Sequence, residues 1–527
     1  MKATNTGPCG MRRLGLLLLL LAAGLWGGVA AAADPIVRID TGELRGDRSG
    51  AIDIFRAVPF AAPPVGELRW RAPQPPQAWD GVRDARAIGP RCPQQNSFST
   101  FAPGPMSEDC LYLNLWVPRG GAKLPVMVWI HGGGYAAGSG TMALYDGKAL
   151  AKRGVIVVTI NYRLGRLGFF AHPALKAERD AKYPGEPMGL YGILDQIAAL
   201  QWVRRNIEAF GGDPGNVTIF GESAGGGSVT QLMVSPLSKG LFARAISQSG
   251  ATGTSIEPLM EVSVPERPSA MVMAQAFLKS QGVPDAIDAR GLRALPVELL
   301  LKTQLMSERG AVFVDGTIVP DSVGKLFAEG RQHAVPFLLG ANSHEGSTVV
   351  AGPNGGMAQI APDVSREQLE ALYGRKSETG YAQYWYGDSR FLAAARYLAG
   401  NMARAGGEAG APAYLYYFSY RTQAQRDYYS GVRHADDLPY VFQRLAEFET
   451  GAGPADYRIS SLMGSYWTNF AKTGDPNGPG LPRWDAYRAS DDNWFEIGEN
   501  GLVMKPGLLA ERLEWHIARF KRAAGIP

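Results

Sequence analysis

One serine in this 527-residue chain stands in a setting that suits nucleophilic chemistry. Ser223 is the centre of Gly221-Glu222-Ser223-Ala224-Gly225, which fits the pattern G-x-S-x-G. In that pattern a strand turns sharply into a helix and presents the hydroxyl at the turn, and the flanking glycines relieve clashes that side chains would create. Because the chain holds 66 glycines, the pentapeptide alone is weak support. A nucleophilic role for Ser223 therefore depends on partners elsewhere in the chain.

The first partner that a serine hydroxyl needs is a histidine base, which in turn needs a carboxylate to orient it. In α/β-hydrolases these residues follow the order serine, acid, histidine along the chain. The six histidines are at positions 131, 172, 333, 344, 434 and 516. The first two precede Ser223 and are excluded. His434 follows the strand-like run 414–420, and a loop past the carboxyl end of a strand is where such a base belongs, so it is the candidate base. His516 lies in an amphipathic helix pattern and is interpreted as a surface or packing residue.

The orienting acid has several candidates. Glu345 lies just past the apolar run PFLLG and is followed by a glycine, which suits a carboxylate that turns inward from a strand end. The alternatives are Asp315, which resembles a turn residue in VDGTIVP, and the pair Asp436 and Asp437. That pair lies too near His434 in sequence to reach the far ring nitrogen easily. Glu345 is the preferred acid.

Three glycines follow a predicted strand that ends at Ile130, in the run WIHGGGYAAGSG. Glycine weakens ordered segments, so three in succession indicate a special backbone conformation. We interpret them as a group of backbone N–H donors that face Ser223 together with the N–H of Ala224, as stabilisation of a developing oxyanion requires. A flexible loop is the alternative interpretation.

The elements that must position these residues alternate between strand and helix from about residue 110 onward. Buried strands are predicted at 126–130, 155–160, 217–220, 245–246 and 337–339, and a helix over 189–210. This alternation predicts a mostly parallel sheet with helices on both faces. Residues 255–335 and 355–410 have helical patterns and are predicted to be insertions over the carboxyl edge of the sheet. Residues 41–60 predict a hairpin, with breaks at Gly46-Asp47 and Ser49-Gly50.

Residues 1–33 have the pattern of a secretory signal peptide. Arg12 and Arg13 precede the apolar run Leu14–Leu25, and Ala31-Ala32-Ala33 offers a cleavage site. A membrane anchor is the alternative, but the run is short and no basic stop follows it. We therefore expect an exported protein, periplasmic or secreted, with no stable membrane anchor after cleavage and a single domain over residues 34–527.

The charge balance indicates which partners the protein does not bind, and the cysteines indicate a disulfide. Without Lys2, Arg12 and Arg13 the chain has 50 basic and 49 acidic residues, which argues against nucleic acid or an anionic membrane surface as a partner. The sequence predicts neither a cofactor nor a metal site. Cys92 and Cys110 remain after signal cleavage, and an even pair in an oxidising compartment favours a disulfide, the alternative being two unrelated thiols.

Long motifs over residues 36–500 resemble the type-B carboxylesterases, the family of bacterial nitrobenzyl esterases, animal carboxylesterases and cholinesterases. They are FRAVPFAAPPVGELRWRAP, SEDCLYLNLWVP, HGGGY, NYRLGRLGFF, GILDQIAALQWVRRNIEAFGGDPGNVTIFGESAGG, VDGTIVP, GANSHEG, HADDLPYVF and WTNFAKTGDPN. So many motifs in one order make the resemblance specific.

The resemblance implies an α/β-hydrolase fold and hydrolysis of a small-molecule carboxylic ester through an acyl-enzyme at Ser223. It implies His434 as general acid and base and Glu345 as the orienting acid. By the same resemblance the oxyanion donors are Gly133, Gly134 and Ala224, and Cys92–Cys110 matches the first disulfide of the family.

Two departures from the family bear on the substrate. Cholinesterases have a choline-binding tryptophan inside that disulfide loop, but residues 93–109 contain Phe98 and Phe101 and no tryptophan, which argues against a quaternary-ammonium site. The later disulfide of the family is also missing, since no further cysteine exists. The two phenylalanines, with Tyr135 and Phe169, favour an apolar gorge that suits short-chain or aromatic esters.

Two other classes of protein share some of these features. Ser322-Val-Gly-Lys325 and Lys472-Thr-Gly474 fit two motifs of penicillin-binding proteins, but no S-D-N or Y-x-N lies between them. A non-enzymatic adhesion module is the other alternative, because some relatives have lost catalysis. The presence of serine, acid and histidine together favours an enzyme.

Overall fold

The structure is a computed structural model that describes residues 33–95, 103–250, 252–265, 267–302, 312–349, 357–405 and 411–527. The predicted signal peptide, apart from residue 33, lies outside these ranges, as do Phe98 and Phe101.

The strands are β1 (Ile36–Ile39), β2 (Gly42–Arg45), β3 (Asp47–Ser49), β4 (Ile52–Pro59), β5 (Val82–Asp84), β6 (Tyr112–Pro118), β7 (Leu124–Ile130), β8 (Ile156–Ile160), β9 (Gly212–Glu222), β10 (Arg244–Gln248), β11 (Phe337–Asn342), β12 (Ala413–Phe418), β13 (Asn493–Gly498) and β14 (Gly501–Pro506). All five predicted strands overlap or lie within β7 to β11.

The helices are α1 (Lys148–Ala151), α2 (Gly165–Gly168), α3 (Pro173–Lys182), α4 (Tyr191–Asn206), α5 (Ala224–Val234), α6 (Ala270–Ser280), α7 (Ala289–Arg293), α8 (Val297–Leu301), α9 (Val323–Ala328), α10 (Met357–Ile360), α11 (Arg366–Tyr373), α12 (Glu378–Gly387), α13 (Ala393–Ala405), α14 (Gln423–Arg426), α15 (Leu438–Val441), α16 (Leu445–Phe448), α17 (Pro454–Thr473) and α18 (Ala510–Ala524). A π-helical turn, Asp388–Leu392, joins α12 to α13.

Within the described residues, eleven strands form one sheet in the order β14-β13-β12-β11-β10-β9-β7-β8-β6-β4-β3. The seven strands from β13 to β8 in this order run parallel. Antiparallel strands continue the sheet at both ends. The carboxyl ends of the parallel strands therefore meet at one edge, where open α/β sheets place their ligands.

The parallel strands are buried because helices cover both faces of the sheet. In β7 the side chains of Val126 and Val128 pack into one apolar cluster with α4 and α5, while Met127 and Trp129 point to the other cluster, with α17. Burying each side chain of this size contributes roughly 1.5–3 kcal/mol. The prediction of a mostly parallel sheet between two helical layers is confirmed.

The N-terminal strands differ in part from the predicted hairpin. β3 and β4 do form an antiparallel hairpin, with Ser49 opposite Ile52 and Gly50 in the turn at φ 62°. The predicted break at Gly46 is instead a change of sheet, since β2 pairs with β1 and β5 in a separate three-stranded sheet. A Cβ at Gly46 would lie 2.7 Å from the Phe55 ring, so close packing explains the glycine there.

Three other expectations are met by the described residues. Helices α6 to α9 and α10 to α13 occupy the two predicted insertions. Cys92 and Cys110 form the predicted disulfide, with both side chains buried. His516 is a buried packing residue of α18, and its Nε2 lies 2.7 Å from the hydroxyl of Tyr373. No described helix combines the length and apolar character that a membrane span requires.

Candidate active site

Ser223 lies at the sharp turn between β9 and α5. Its φ of 57° and ψ of −122° are unusual for a residue with a side chain. Its N–H donates to the carbonyl of Gln248 at 2.9 Å, and its own carbonyl accepts from Gly227 N–H at 2.8 Å. A Cβ on Gly225 would lie 2.0 Å from the carbonyl oxygen of Ile130, so only glycine fits where the turn meets β7. The turn therefore holds the serine hydroxyl in one place at the carboxyl edge.

His434 reaches Ser223 from the loop between α14 and α15. Its Nε2 lies 2.8 Å from Ser223 Oγ and its Nδ1 lies 2.5 Å from Glu345 Oε2. With the proton on Nδ1, the ring donates to the carboxylate and leaves Nε2 free to accept from the serine hydroxyl. The backbone N–H of His434 donates to Ser347 Oγ at 3.0 Å, and the ring of Phe391 lies 4.9 Å from the imidazole. These contacts fix the position of the imidazole.

Glu345 follows β11 and is buried, at 1% exposure. Besides His434, its carboxylate accepts from Ser249 Oγ at 2.5 Å and from the N–H of Asn342 at 2.6 Å. Ser249 and Asn342 lie at the carboxyl ends of the neighbouring strands β10 and β11, which explains why these residues meet although they are distant in sequence. The carboxylate is thus held by three hydrogen bonds and faces one nitrogen of His434.

The competing carboxylates have other partners in the structure. Asp315 accepts from the backbone N–H groups of Ile318 and Val319, the latter at 2.7 Å, as a turn residue does. Asp436 is ion-paired with Arg433 at 2.9 Å. Asp437 accepts from the side-chain amides of Gln248 and Asn342. Of the four candidate acids, Glu345 alone is hydrogen-bonded to His434.

The three glycines after β7 pass directly beside Ser223. A Cβ on Gly132 would lie 3.0 Å from Ser223 Cβ. Gly133 and Gly134 have φ values of 107° and 62°, and their N–H groups donate to no residue that the structure describes. Ala224 is the first residue of α5, so its N–H also lacks a partner within the helix. N–H groups without a described partner thus lie on the two segments that adjoin Ser223, the run after Gly132 and the start of α5, as an oxyanion site requires.

Glu222 is a member of the site that the sequence reasoning missed. Its Oε1 lies 3.3 Å from His434 Nε2 and has no hydrogen-bond partner among the described residues. Burial raises the pKa of Glu222, because the carboxylate loses its hydration. Its one signal in the sequence is a charged residue inside a motif whose other members are small.

The pKa of His434 is raised above its ordinary value. Burial acts to lower it, but the nearby carboxylates of Glu222, Glu345 and Asp437 together outweigh burial. Below its pKa the imidazolium cannot accept the proton of the serine. A serine–histidine site of this kind is therefore active in the neutral to alkaline range.

We expect Glu222→Gln to shift the acidic limb of the kcat/KM profile downward by about one pH unit, because loss of a nearby negative charge lowers the pKa of His434. The measurement is kcat/KM for a neutral ester between pH 5 and 10. Asp436→Asn is the matched control, since this acid is two residues from His434 but is paired with Arg433. An unchanged acidic limb in Glu222→Gln would contradict the assigned coupling.

A second group of buried polar side chains forms a hydrogen-bond network next to Glu345. Gln248 Nε2 donates to Asp437 at 2.6 Å, and Trp467 Nε1 donates to Gln248 Oε1 at 3.1 Å. Asn342, whose N–H holds Glu345, also donates its side-chain amide to Asp437 at 3.3 Å. Burial raises the pKa of Asp437 to about 6. This network joins the ends of β10 and β11 to α15 and α17.

Across the described residues, no group of three or more His, Cys, Asp or Glu is arranged to hold a metal ion.

Comparison with known proteins identifies the family. The model of the carboxylesterase family matches residues 33–515. The chain belongs to the carboxylesterase family. It is similar to the fumonisin B1 esterase of Sphingopyxis macrogoltabida, with 35% identity over 83% of this chain and 82% of that protein. The para-nitrobenzyl esterase of Bacillus subtilis (strain 168) is also 35% identical, over 86% of this chain and 92% of that protein.

Solved structures agree with this assignment. The structure of a thermophilic PNB esterase superposes with a TM-score of 0.78 and 32% identity, covering 92% of this chain and all of that one. The resemblance to type-B carboxylesterases and the α/β-hydrolase fold are thus confirmed. As a carboxylesterase, the protein is a carboxylic ester hydrolase.

Proposed function

We propose that Ser223 is the nucleophile of this carboxylesterase, with His434 as general base and acid and Glu345 as the residue that orients it. The observation that carries the proposal is the pair of hydrogen bonds from Ser223 Oγ to His434 Nε2 at 2.8 Å and from His434 Nδ1 to Glu345 Oε2 at 2.5 Å. This is the order of contacts that activates a serine hydroxyl.

The reaction proceeds in two halves. Ser223 Oγ attacks the ester carbonyl carbon while His434 Nε2 takes its proton, and the carbonyl oxygen becomes an oxyanion. The tetrahedral intermediate collapses, the alcohol leaves with the proton from His434, and an acyl-enzyme remains. Water then attacks the acyl carbon, His434 again accepts and returns the proton, and the acid is released.

The oxyanion of each intermediate is bound by the N–H groups of Gly133, Gly134 and Ala224. Fixed donors of this kind stabilise charge that develops in the transition state, and losing one such donor costs about 10²- to 10³-fold in kcat. The support for this assignment is the run of free N–H groups beside Ser223 and the position of Ala224 at the N-terminus of α5.

The ester is proposed to have a short-chain or aromatic apolar part. Tyr135 and Phe169 pack edge to face at 5.0 Å next to the glycine run, and Phe391 lies against His434. These rings favour apolar groups near the scissile bond. Residues 93–109 contain no tryptophan, which argues against choline esters.

We further propose that residues 1–33 are a cleaved signal peptide and that residues 34–527 form a single domain exported to the periplasm or beyond the cell. The support is the charged, apolar and small-residue pattern of the segment, together with the buried Cys92–Cys110 disulfide, which suits an oxidising compartment. One sheet that extends from β3 to β14 supports the single domain.

Covalent labelling tests the proposal. We expect a phosphonate ester to stop activity with one adduct per chain, on the peptide that contains Ser223, because only an activated serine reacts at a useful rate. The measurement is mass spectrometry of protein purified after export, and the intact mass also shows whether residues 1–33 are absent. An adduct on another serine, with activity lost in proportion, would overturn the assignment.

A further inference from the structure

Arg390 is a cation near the proposed site, and no residue that the structure describes forms an ion pair with it. It belongs to the π-helical turn Asp388–Leu392, and its side chain is exposed. It makes no hydrogen bond and no ion pair within 4 Å with any residue that the structure describes. Its neighbours differ, since Arg396 pairs with Asp492 and Arg512 pairs with Asp388. An exposed arginine is ordinary on a surface, so its position must decide whether it has a function.

The position of Arg390 is fixed by the residues on either side of it. Phe391, the next residue, has its ring 4.9 Å from the imidazole of His434. The carbonyl of Ser389, the preceding residue, accepts from Thr254 Oγ1 at 2.6 Å. Consecutive Cα atoms are about 3.8 Å apart. Arg390 therefore lies in the chain between a residue that contacts the proposed catalytic base and a residue that contacts the 252–257 segment.

The charge of Arg390 affects the pKa values of two buried groups, Tyr135 and Glu257. Burial raises the pKa values of Tyr135 and Glu257, and the positive charge of Arg390 partly opposes both rises. Tyr135 directly follows Gly134, one of the proposed oxyanion donors. The guanidinium is thus near enough to Tyr135 and Glu257 for its charge to act on both groups.

Glu257 does not neutralise Arg390 in the structure. Its carboxylate accepts from the hydroxyl of Ser255, and no atom of the guanidinium is within ion-pairing distance. Burial raises the pKa of Glu257, because the carboxylate loses its hydration. A π-helical turn often marks a functional position, since the extra residue redirects side chains. The free guanidinium can accordingly meet an anion from the substrate.

We propose that Arg390 binds a carboxylate of the substrate, so that the enzyme prefers esters that carry a free carboxylate on the acyl or the alcohol part. This inference rests on the proposed function, because it places the anion relative to Ser223 and His434. A guanidinium offers a planar pair of donors that matches a carboxylate and remains charged at every working pH. The aromatic groups then contact the apolar part of the ester while Arg390 contacts its charged end.

Two pairs of esters of equal length test the proposal. Monomethyl glutarate and methyl pentanoate differ only by a carboxylate on the acyl side, and 4-acetoxybutanoate and butyl acetate differ only by one on the alcohol side. We expect wild-type kcat/KM to be higher for the charged member of at least one pair. Arg390→Gln should lower that value about 10- to 100-fold, mainly through KM, because the contact binds ground and transition states alike.

The neutral ester provides the internal control. We expect Arg390→Gln to leave kcat/KM for the neutral member within about twofold, since the machinery around Ser223 is intact. Arg390→Lys should retain part of the preference, because it keeps the charge but not the planar pair of donors. Arg483→Gln, at a side chain 73% exposed and ion-paired with Asp485, controls for the change in net charge.

The possible outcomes separate the two proposals. The role of Arg390 is wrong if wild-type kcat/KM is no higher for the charged esters than for the neutral ones. It is also wrong if Arg390→Gln lowers kcat/KM equally for both members of a pair. In either case the proposed function stands, provided that the neutral esters are hydrolysed. If the neutral esters are not hydrolysed and Ser223 is not labelled, the proposed function fails, and the inference fails with it.

Discussion

Ser223→Ala should lower kcat/KM for a simple aromatic ester by about 10⁵- to 10⁶-fold, the size of loss seen when a serine protease loses its nucleophile. The expectation follows from the 2.8 Å contact between Ser223 Oγ and His434 Nε2, since alanine leaves the base with no hydroxyl to activate. The measurement is steady-state hydrolysis of p-nitrophenyl butyrate by protein of known concentration. Residual turnover reflects the oxyanion donors and binding alone.

The melting temperature of Ser223→Ala and the activity of a second serine variant distinguish loss of the nucleophile from misfolding. Alanine is smaller than serine and also carries a Cβ, so the strained turn at φ 57° is retained and the melting temperature should change little. Ser322→Ala is the matched control, because Ser322 is also buried and belongs to the S-x-x-K motif of the competing interpretation. Full turnover in Ser223→Ala, or its loss in a stable Ser322→Ala, would reverse the choice between the two motifs.

The parts of this fold that could be predicted from sequence are those fixed by local patterns. The buried runs of β7, β8 and β11 are almost entirely β-branched or apolar, which identifies strands covered on both faces. The turn at Ser223 requires glycine, since Gly225 lies against the backbone of β7. Glu345 and His434 could be placed because both follow strand ends, and parallel strand ends share an edge.

The remaining features depend on contacts between distant segments. Glu222 lies in the same pentapeptide as Ser223, but its effect on His434 arises from a contact across 212 residues of sequence that no local pattern reveals. Arg390 and Phe391 lie in a stretch that was predicted only to be helical, and its π-helical turn has no sequence signal. Gly46 is predicted to break a hairpin, but β2 instead pairs with β1 in a separate sheet, and the close approach of Gly46 to the Phe55 ring is a contact that no local pattern reveals.

Glu345→Gln should lower kcat by several hundredfold to about 10⁴-fold while the protein remains folded, since the equivalent amide change in a serine protease costs about 10⁴. The carboxylate holds Nδ1–H of His434 at 2.5 Å and stabilises the imidazolium that forms when Ser223 attacks. An amide that presents its NH₂ group to Nδ1 favours the wrong tautomer, with the proton on Nε2, which cannot then accept from the serine. The measurement is kcat at several pH values, together with the melting temperature.

Asp315→Asn is the control that distinguishes an orienting acid from a structural one. Asp315 accepts from the backbone N–H groups of Ile318 and Val319, so its replacement should leave kcat within a few-fold and act on the melting temperature instead. An asparagine can still accept one of these bonds, and a fall of a few degrees is the expected size. If a fully stable Asp315→Asn loses turnover while Glu345→Gln stays active, the acid of the triad is Asp315. The hydrogen bonds from Ser249 and Asn342 would then hold Glu345 for a structural reason only.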